Sequence, residues 1–302
     1  MSRSNTEWKV DPNGNPRGYI QPRCLKELWF HTGTVCNLRC SFCFEGSKPG
    51  DNRLNFITRA EIEPFVQEAL LFGAEQFSFT GGEPFVIPEM VPILDYALDY
   101  NPCLVLTNAT EPLLNCLYQV APLVKKPFPL NFRVSLDHSV AEKHDAFRGS
   151  GNFELSLKTM GKLHRLGFKV SIARQGTAGE DSEAVNLKYR PLFAGVGLPE
   201  DTPIVVFFEF HEPGSHPDVP RITESCMTTY KTEDDRDQMM CSFSKMVVKQ
   251  GGRMRVYACT LVDDDLDYDL GATLSEAMDI RVMLKHHRCY TCFANGTSCS
   301  EL

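Results

Sequence analysis

Short apolar runs alternate along this chain with longer stretches whose apolar positions recur every three to four residues. Leu28 to Val35, Gln76 to Thr80, Cys103 to Thr107, Asn131 to Leu136, Lys169 to Ala173 and Ile204 to Phe210 each read as a strand. Between them, Thr58 to Phe72 sets Ile62, Phe65, Val66, Ala69 and Leu70 at helical spacing and stops at Gly73. Phe153 to Leu166 does the same with Leu155, Leu157, Met160, Leu163 and Leu166, and stops at Gly167. Pro88 to Tyr100, Glu111 to Leu123 and Val185 to Phe193 also read as helices. Six such units predict an α/β fold with a parallel sheet and helices outside it. In a sheet of that kind ligands sit at the C-terminal ends of the strands.

The pattern changes after Pro213. HEPGSHPDVPR reads as a loop and a boundary. Beyond it, Lys245 to Lys249 and Met254 to Ala258 flank Gly251-Gly252, which predicts a hairpin. An acidic loop (Asp263, Asp264, Asp265) and a short helix around Thr273 to Leu284 follow. The expected organisation is an N-terminal arm over 1–24, a core over 25–215 and a small extension over 216–302.

The 302 residues allow two domains, or one large α/β domain with an appendix. No apolar run approaches the roughly 20 residues of a membrane span. The start, MSRSNTEWKVDPNGNPRGYIQP, lacks the apolar stretch of a signal peptide, so a cytoplasmic address and no membrane partner are expected. Thirty-one basic against 39 acidic residues give a net charge of -8, which disfavours a nucleic-acid partner. Twelve cysteines change the picture more, because they cluster. Without a secretory signal such clusters point to metal binding or reactivity rather than to disulfides.

Cys36, Cys40 and Cys43 lie within eight residues, just after the first expected strand. Three thiolates on one loop can converge on one centre. On a four-iron cluster they leave one iron open for a substrate or cofactor, whereas structural sites fill all four positions. Zinc motifs favour paired C-x2-C units, which this triplet fits poorly.

The stretch CNLRCSFC resembles the CxxxCxxC motif of the radical S-adenosylmethionine (radical SAM) enzymes, with Phe42 as the usual aromatic before the third cysteine. Thr80-Gly81-Gly82-Glu83-Pro84 resembles the family's GGEP segment. Thr107-Asn108 is similar to its TNG, with Ala109 in place of glycine. Ser135-Leu136-Asp137, followed by His144-Asp145-Ala146-Phe147-Arg148-Gly149, resembles the SLDG…HDxxRG segment of members with SPASM or twitch extensions, with His138 where glycine is usual. Arg174 ends the fifth strand, where relatives often carry a cation. The resemblance runs in order over roughly 25–215 and includes the tail.

It implies a partial (β/α)6 TIM-like barrel with a small C-terminal twitch-like hairpin-helix extension. It implies an enzyme, a radical SAM oxidoreductase or transformase: SAM chelates the open iron of a [4Fe-4S] cluster, an electron cleaves the sulfonium, and a 5′-deoxyadenosyl radical takes hydrogen from substrate. On that pattern Cys36, Cys40 and Cys43 bind the cluster and Phe42 packs near adenine. Gly81, Gly82 and Glu83 face the methionine amino group, Ser135 and Arg174 meet its carboxylate, and Asn108 approaches the ribose. A strand-end Ser or Asn caps a helix about as often. An external electron donor such as flavodoxin or ferredoxin is implied as a partner.

In the tail, Cys241 and Cys259 bracket the expected hairpin, which brings its ends together, and Cys289-Tyr-Thr-Cys292 completes four thiols. This resembles the twitch extension with one auxiliary [4Fe-4S] cluster; zinc remains a rival. A full SPASM extension would add further cysteines, and only Cys299 follows. Cys299 could replace one of the four, or act as a redox thiol or hydrogen donor. His286 and His287 read as exposed and solvated, Cys103 and Cys116 as buried apolar residues. Glu209, His211 and Glu212 end the sixth strand and are candidates for substrate contact; Glu209, Glu212 and Cys299 are the candidate catalytic groups. An auxiliary cluster favours an oxidative or bond-forming reaction. Only 24 to 28 residues precede the first strand, too few for a peptide-recognition domain, which favours a small-molecule substrate. A peptide or protein maturase is the alternative, and a non-catalytic iron-sulfur or zinc protein the rival of a different class.

Overall fold

The computed structural model describes residues 6–177, 179–207, 214–296 and 300. Its strands are β1 (Tyr19–Ile20), β2 (Glu27–His31), β3 (Gln76–Thr80), β4 (Cys103–Thr107), β5 (Leu130–Ser135), β6 (Lys169–Gln175), β7 (Ile204–Phe207), β8 (Ser244–Gln250), β9 (Arg253–Tyr257), β10 (Asp269–Gly271) and β11 (Val282–Met283). The chain forms two compact units. One comprises Phe30–Ile62 and Gln76–Glu209; the other comprises Met1–Trp29, Glu63–Glu75 and Phe210–Leu302.

In the first unit β3 to β7 pair in parallel and in sequence order, through Phe79↔Val105, Val105↔Phe132, Phe132↔Val170 and Ile172↔Ile204. The end of β2 continues beside β3, where the Thr32 N–H donates to the Thr80 carbonyl at 2.8 Å. This is the mixed α/β architecture with a parallel sheet that the alternation predicts. β3 to β6 are largely buried runs rather than alternating ones, because helices cover the sheet. Phe30 stacks on Phe79 at 5.5 Å, Phe85 on Phe132 at 6.2 Å, and Phe168 meets Phe132 edge-on at 5.4 Å.

Several expected elements are shorter. The first strand ends at His31 rather than Val35, because the next residues turn to other partners: Thr34 N–H to the Leu54 carbonyl (3.2 Å) and Cys36 N–H to that of Lys48 (3.3 Å). The helix expected over 185–193 is two, Ser182–Leu187 and Arg190–Val196. Pro191 accounts for the break, since it lacks the N–H an interior helical position needs and is tolerated in a first turn. The helix Ala141–Arg148, which carries the HDAFR residues, was not expected. Of the last strand, Ile204–Phe207 is described; 208–213 lie outside the described residues.

In the second unit β8 and β9 form the expected hairpin, in register Gln250↔Arg253 through Met246↔Tyr257. Gly251 (φ 55°) and Gly252 (φ 76°) supply the two positive-φ positions that a tight hairpin turn requires. β10 adds antiparallel to β9, and β1 pairs with β11. The helix expected over 273–284 is Leu274–Met278, followed by β11. Its first N–H groups are satisfied from outside: Glu68 accepts from Leu274 (2.9 Å) and Ser275 (2.7 Å). Among the described residues no helix is long and apolar enough to cross a membrane.

Candidate metal centres and cofactor site

The residues of the first cysteine motif and of the GGEP, TN and SLD segments follow the C-terminal ends of β2, β3, β4 and β5 within one unit. Gly81 and Gly82 are required by close backbone packing. A Cβ on Gly82 would lie 2.2 Å from the Val35 carbonyl oxygen, and one on Gly81, at φ 146°, 2.7 Å from that of Gly33. Gly82 N–H donates to the Gly33 carbonyl (2.9 Å) and Glu83 N–H to that of Val35 (3.1 Å). The glycines thus clamp the turn after β3 onto the segment that leads into Cys36.

Glu83 is buried, and its carboxylate accepts three hydrogen bonds: Thr107 hydroxyl to Oε1 (2.8 Å), Phe85 N–H to Oε1 (3.2 Å) and Asn108 N–H to Oε2 (2.8 Å). Burial nevertheless dominates and pushes its pKa up to about 7. A cation arriving at this carboxylate would return it to its ionised form.

Cys36, Cys40 and Cys43 are free thiols on one loop. Burial raises all three, Cys36 to about 12; Cys36 also feels the repulsive fields of Cys40 and Cys43, and Cys40 that of Cys43. Three clustered thiols protonated in isolation fit a cationic metal centre, which would draw off the protons and stabilise the thiolates. The loop is tied down behind them. The Nδ1 of buried His31 accepts from Gly33 N–H (3.1 Å), so Nε2 carries the proton and donates to Glu45 (3.2 Å). Arg53 donates to the Glu45 carbonyl at 2.7 Å.

Phe42 lies against Phe147 (5.6 Å, edge-on) and under the Arg148 guanidinium (5.4 Å). Arg148 forms an ion pair with Asp137 and is held charged by it and by the fields of Cys40 and Cys43. His144, on the same helix, is buried with no hydrogen bond at either ring nitrogen; burial and then Arg148 push it down to about 4, so it is neutral.

The Asn108 side chain is occupied: its amide N–H donates to Asn37 (2.9 Å), its Oδ1 accepts from Thr110 N–H (3.0 Å) and hydroxyl (2.6 Å), and the Cys36 sulfur lies 4.0 Å away. Ala109, where the family has glycine, sits at φ 55°. Ser135 ends β5. Arg174 is buried and paired with Glu180 at 2.6 Å, and it also donates to Asn186 (2.7 Å). Asp137, Arg148, Thr107 and the His31–Glu45 pair carry much of this arrangement. The SLD, HDAFR and TN segments were the signal for Asp137, Arg148 and Thr107; nothing in the spacing pointed to the His31–Glu45 pair.

In the second unit Cys241 precedes β8, Cys259 follows β9, and the helix His287–Asn295 carries Cys289 and Cys292. All four are buried and none is in a disulfide, and Cys241, Cys259 and Cys289 each feel the field of others in the set. Burial raises Cys289 to about 12 and Cys241 and Cys259 further. Four buried thiols that act on one another fit an iron-sulfur cluster; among the described residues no three of their sulfurs lie within 4.8 Å of one another, wider than the thiolates of one tetrahedral zinc. Tyr268 braces the approach to the helix: its buried hydroxyl accepts from Lys285 N–H (2.9 Å) and His286 N–H (2.8 Å), donates to the Met283 carbonyl (2.7 Å), and lies 3.6 Å from the Cys289 sulfur.

The tail histidines are not solvated as expected. His287 is buried, and His286 caps the helix by accepting from Arg288 N–H (3.2 Å) while facing Asp264 at 3.3 Å. With Arg288 it holds the Asp264 carboxyl well below the usual range, which organises the acidic loop. Cys103 is buried as expected, whereas Cys116 is half-buried. Glu209, His211, Glu212 and Cys299 lie outside the described residues.

A family model described as "Radical SAM superfamily" matches residues 30–183. The chain is 28% identical over 177 residues to the mycofactocin maturase MftC of Mycobacterium tuberculosis, covering 56% of this chain and 42% of that protein. It is 34% identical over 143 residues to the antilisterial bacteriocin subtilosin biosynthesis protein AlbA of Bacillus subtilis, covering 46% of this chain and 30% of that one. It thus spans less than half the length of either relative. Among solved structures, Streptococcus suis SuiB is similar with a TM-score of 0.62 at 14% identity, both bound to S-adenosylmethionine and bound to its precursor peptide SuiA. Those matches cover 92% of this chain and 69% and 68% of the SuiB chains, and the likeness is one of fold.

Proposed function

Because this chain belongs to the radical SAM superfamily, we propose that it is an enzyme of reductive SAM cleavage, acting on a peptide substrate in an oxidative or bond-forming reaction. The observation that carries the reading is the loop of three free, mutually interacting thiols beside the buried Glu83 carboxylate. A [4Fe-4S] cluster with SAM bound there supplies the 5′-deoxyadenosyl radical that takes hydrogen from the substrate.

The chain's own residues have distinct tasks in this reading. Cys36, Cys40 and Cys43 contribute three thiolates and leave one corner open. Glu83 accepts from the N–H of the methionine amino group; the Thr107 and Asn108 donors fix its orientation in advance. Phe42, backed by Phe147 and Arg148, offers an apolar face to adenine. Ser135 is kept for the methionine carboxylate. The bond between Arg174 and Glu180 favours a framing role for Arg174 unless that pair opens, and the Asn37 and Thr110 contacts of Asn108 favour the same for Asn108. Gly81 and Gly82 support the site through their contact with Gly33 and Val35.

Cys241, Cys259, Cys289 and Cys292 would hold one auxiliary [4Fe-4S] cluster, which would supply a one-electron acceptor for the reaction. An external one-electron donor of the flavodoxin or ferredoxin kind supplies the SAM centre. The names of MftC and AlbA, and the SuiB structure with its precursor peptide, support a peptide over a small molecule.

The test is iron and sulfide content after anaerobic reconstitution, with 5′-deoxyadenosine assayed on the same samples, for wild type and the Cys36→Ala/Cys40→Ala/Cys43→Ala variant. About eight irons falling to about four, with cleavage lost, is expected. Cleavage that persists in the triple variant overturns the site. Four irons falling to none, with zinc bound, makes the tail a zinc site.

A further inference from the structure

Lys245 is the second residue of β8 and is fully buried, and no other lysine among the described residues is buried. Its ammonium donates to the carbonyls of Cys241 (2.9 Å) and Ser244 (2.8 Å), which hold it at the backbone of the first thiol of the set. Among the described residues the groups that act on it electrostatically are Cys241, Cys259 and Cys24, with no carboxylate among them.

A buried ammonium without a counter-charge costs several kcal/mol. Two carbonyl dipoles offset part of that. Four neutral thiols offset none of it, whereas four metal-bound thiolates supply the missing negative charge. The position of Lys245 therefore makes physical sense when the thiols are ionised around a centre of net negative charge. Reduction adds one more negative charge to such a centre, and a fixed cation at its side stabilises the reduced form.

We infer that Lys245 is the built-in counter-charge of the auxiliary centre, a positioning residue that raises the reduction potential of the cluster held by Cys241, Cys259, Cys289 and Cys292. The inference rests on the auxiliary-cluster reading above and deepens it. It assigns Lys245 the task of making the cluster a better acceptor for the one electron that a substrate radical gives up.

The test uses the Cys36→Ala/Cys40→Ala/Cys43→Ala protein, so that only the tail centre contributes, and a redox titration followed by electron paramagnetic resonance. Iron content of this background is read first; absence of iron there refutes the auxiliary-cluster reading, and this inference with it. Lys245→Gln and Lys245→Met remove the charge, and Lys245→Arg keeps it. The neutral variants should be at least tenfold harder to reduce, a drop of 59 mV for one electron, with Arg close to the parent. Loss of tail iron in both neutral variants but not in Lys245→Arg supports the same conclusion. A neutral variant with full iron and the parent's potential overturns it, and so does loss of iron in all three variants alike.

Discussion

The Asn108 N–H at the end of β4 donates to the buried Glu83 carboxylate at the end of β3, across 2.8 Å. Two neighbouring strands thus hold one carboxylate ready before any ligand arrives, and burial leaves it poised near pH 7. SAM should bind with its amino N–H donating to Glu83, which requires the ionised form. Its affinity should therefore rise with pH up to about 7 and fall below it by up to about tenfold per unit. Glu83→Gln should bind SAM more weakly, with a flat profile over the same range. Isothermal titration at several pH values checks this; an unchanged profile in Glu83→Gln removes Glu83 from the SAM site. The stability sign is opposite. A carboxyl whose folded pKa of about 7 exceeds its ordinary 4.5 favours the fold below 4.5, and that contribution is lost as pH rises toward 7.

Gly82→Ala should cost about 3 kcal/mol, because its Cβ would meet a backbone oxygen that cannot swing aside. The damage should fall on the first cysteine loop, so SAM-centre iron should be lost while tail iron stays. At Ala109 (φ 55°) glycine should lie within about 1 kcal/mol of wild type, as relieved strain offsets a lost methyl. Ala109→Val should cost about 2 kcal/mol or more in the same denaturation series, since a β-branched residue is forced into left-handed backbone.

Asp137→Asn leaves the Arg148 charge without its carboxylate. In metal-free protein the loss should be about 3 kcal/mol. After reconstitution it should be smaller, because Cys40 and Cys43, whose fields reach Arg148, then carry negative charge. Urea denaturation of both forms measures the difference; equal losses would mean that the loop thiolates do not compensate Arg148.

Tyr268→Phe removes the acceptor for the Lys285 and His286 N–H groups just before the cysteine-bearing helix. A loss of about 2 kcal/mol is expected. Tail iron should then leave faster under chelator challenge, with no change in the SAM centre. Wild-type chelation kinetics would rule out a bracing role for Tyr268.

The periodicity of the chain determined the parallel β-α order and the glycine hairpin, because burial of one helical stripe or one strand run is a local pattern. Cysteine spacing did the same for the grouping of both thiol sets. Other features depend on tertiary contacts that neither the hydrophobic pattern nor the residue spacing encodes. Glu68 caps a helix two hundred positions later, Asp137 finds Arg148 through a helix that the pattern did not announce, and Lys245 is buried where Cys259 returns at the end of a hairpin. Even the glycines of GGEP carried a motif without its cause. That cause, a carbonyl of Val35 where a Cβ would stand, exists only once β2 and β3 lie side by side.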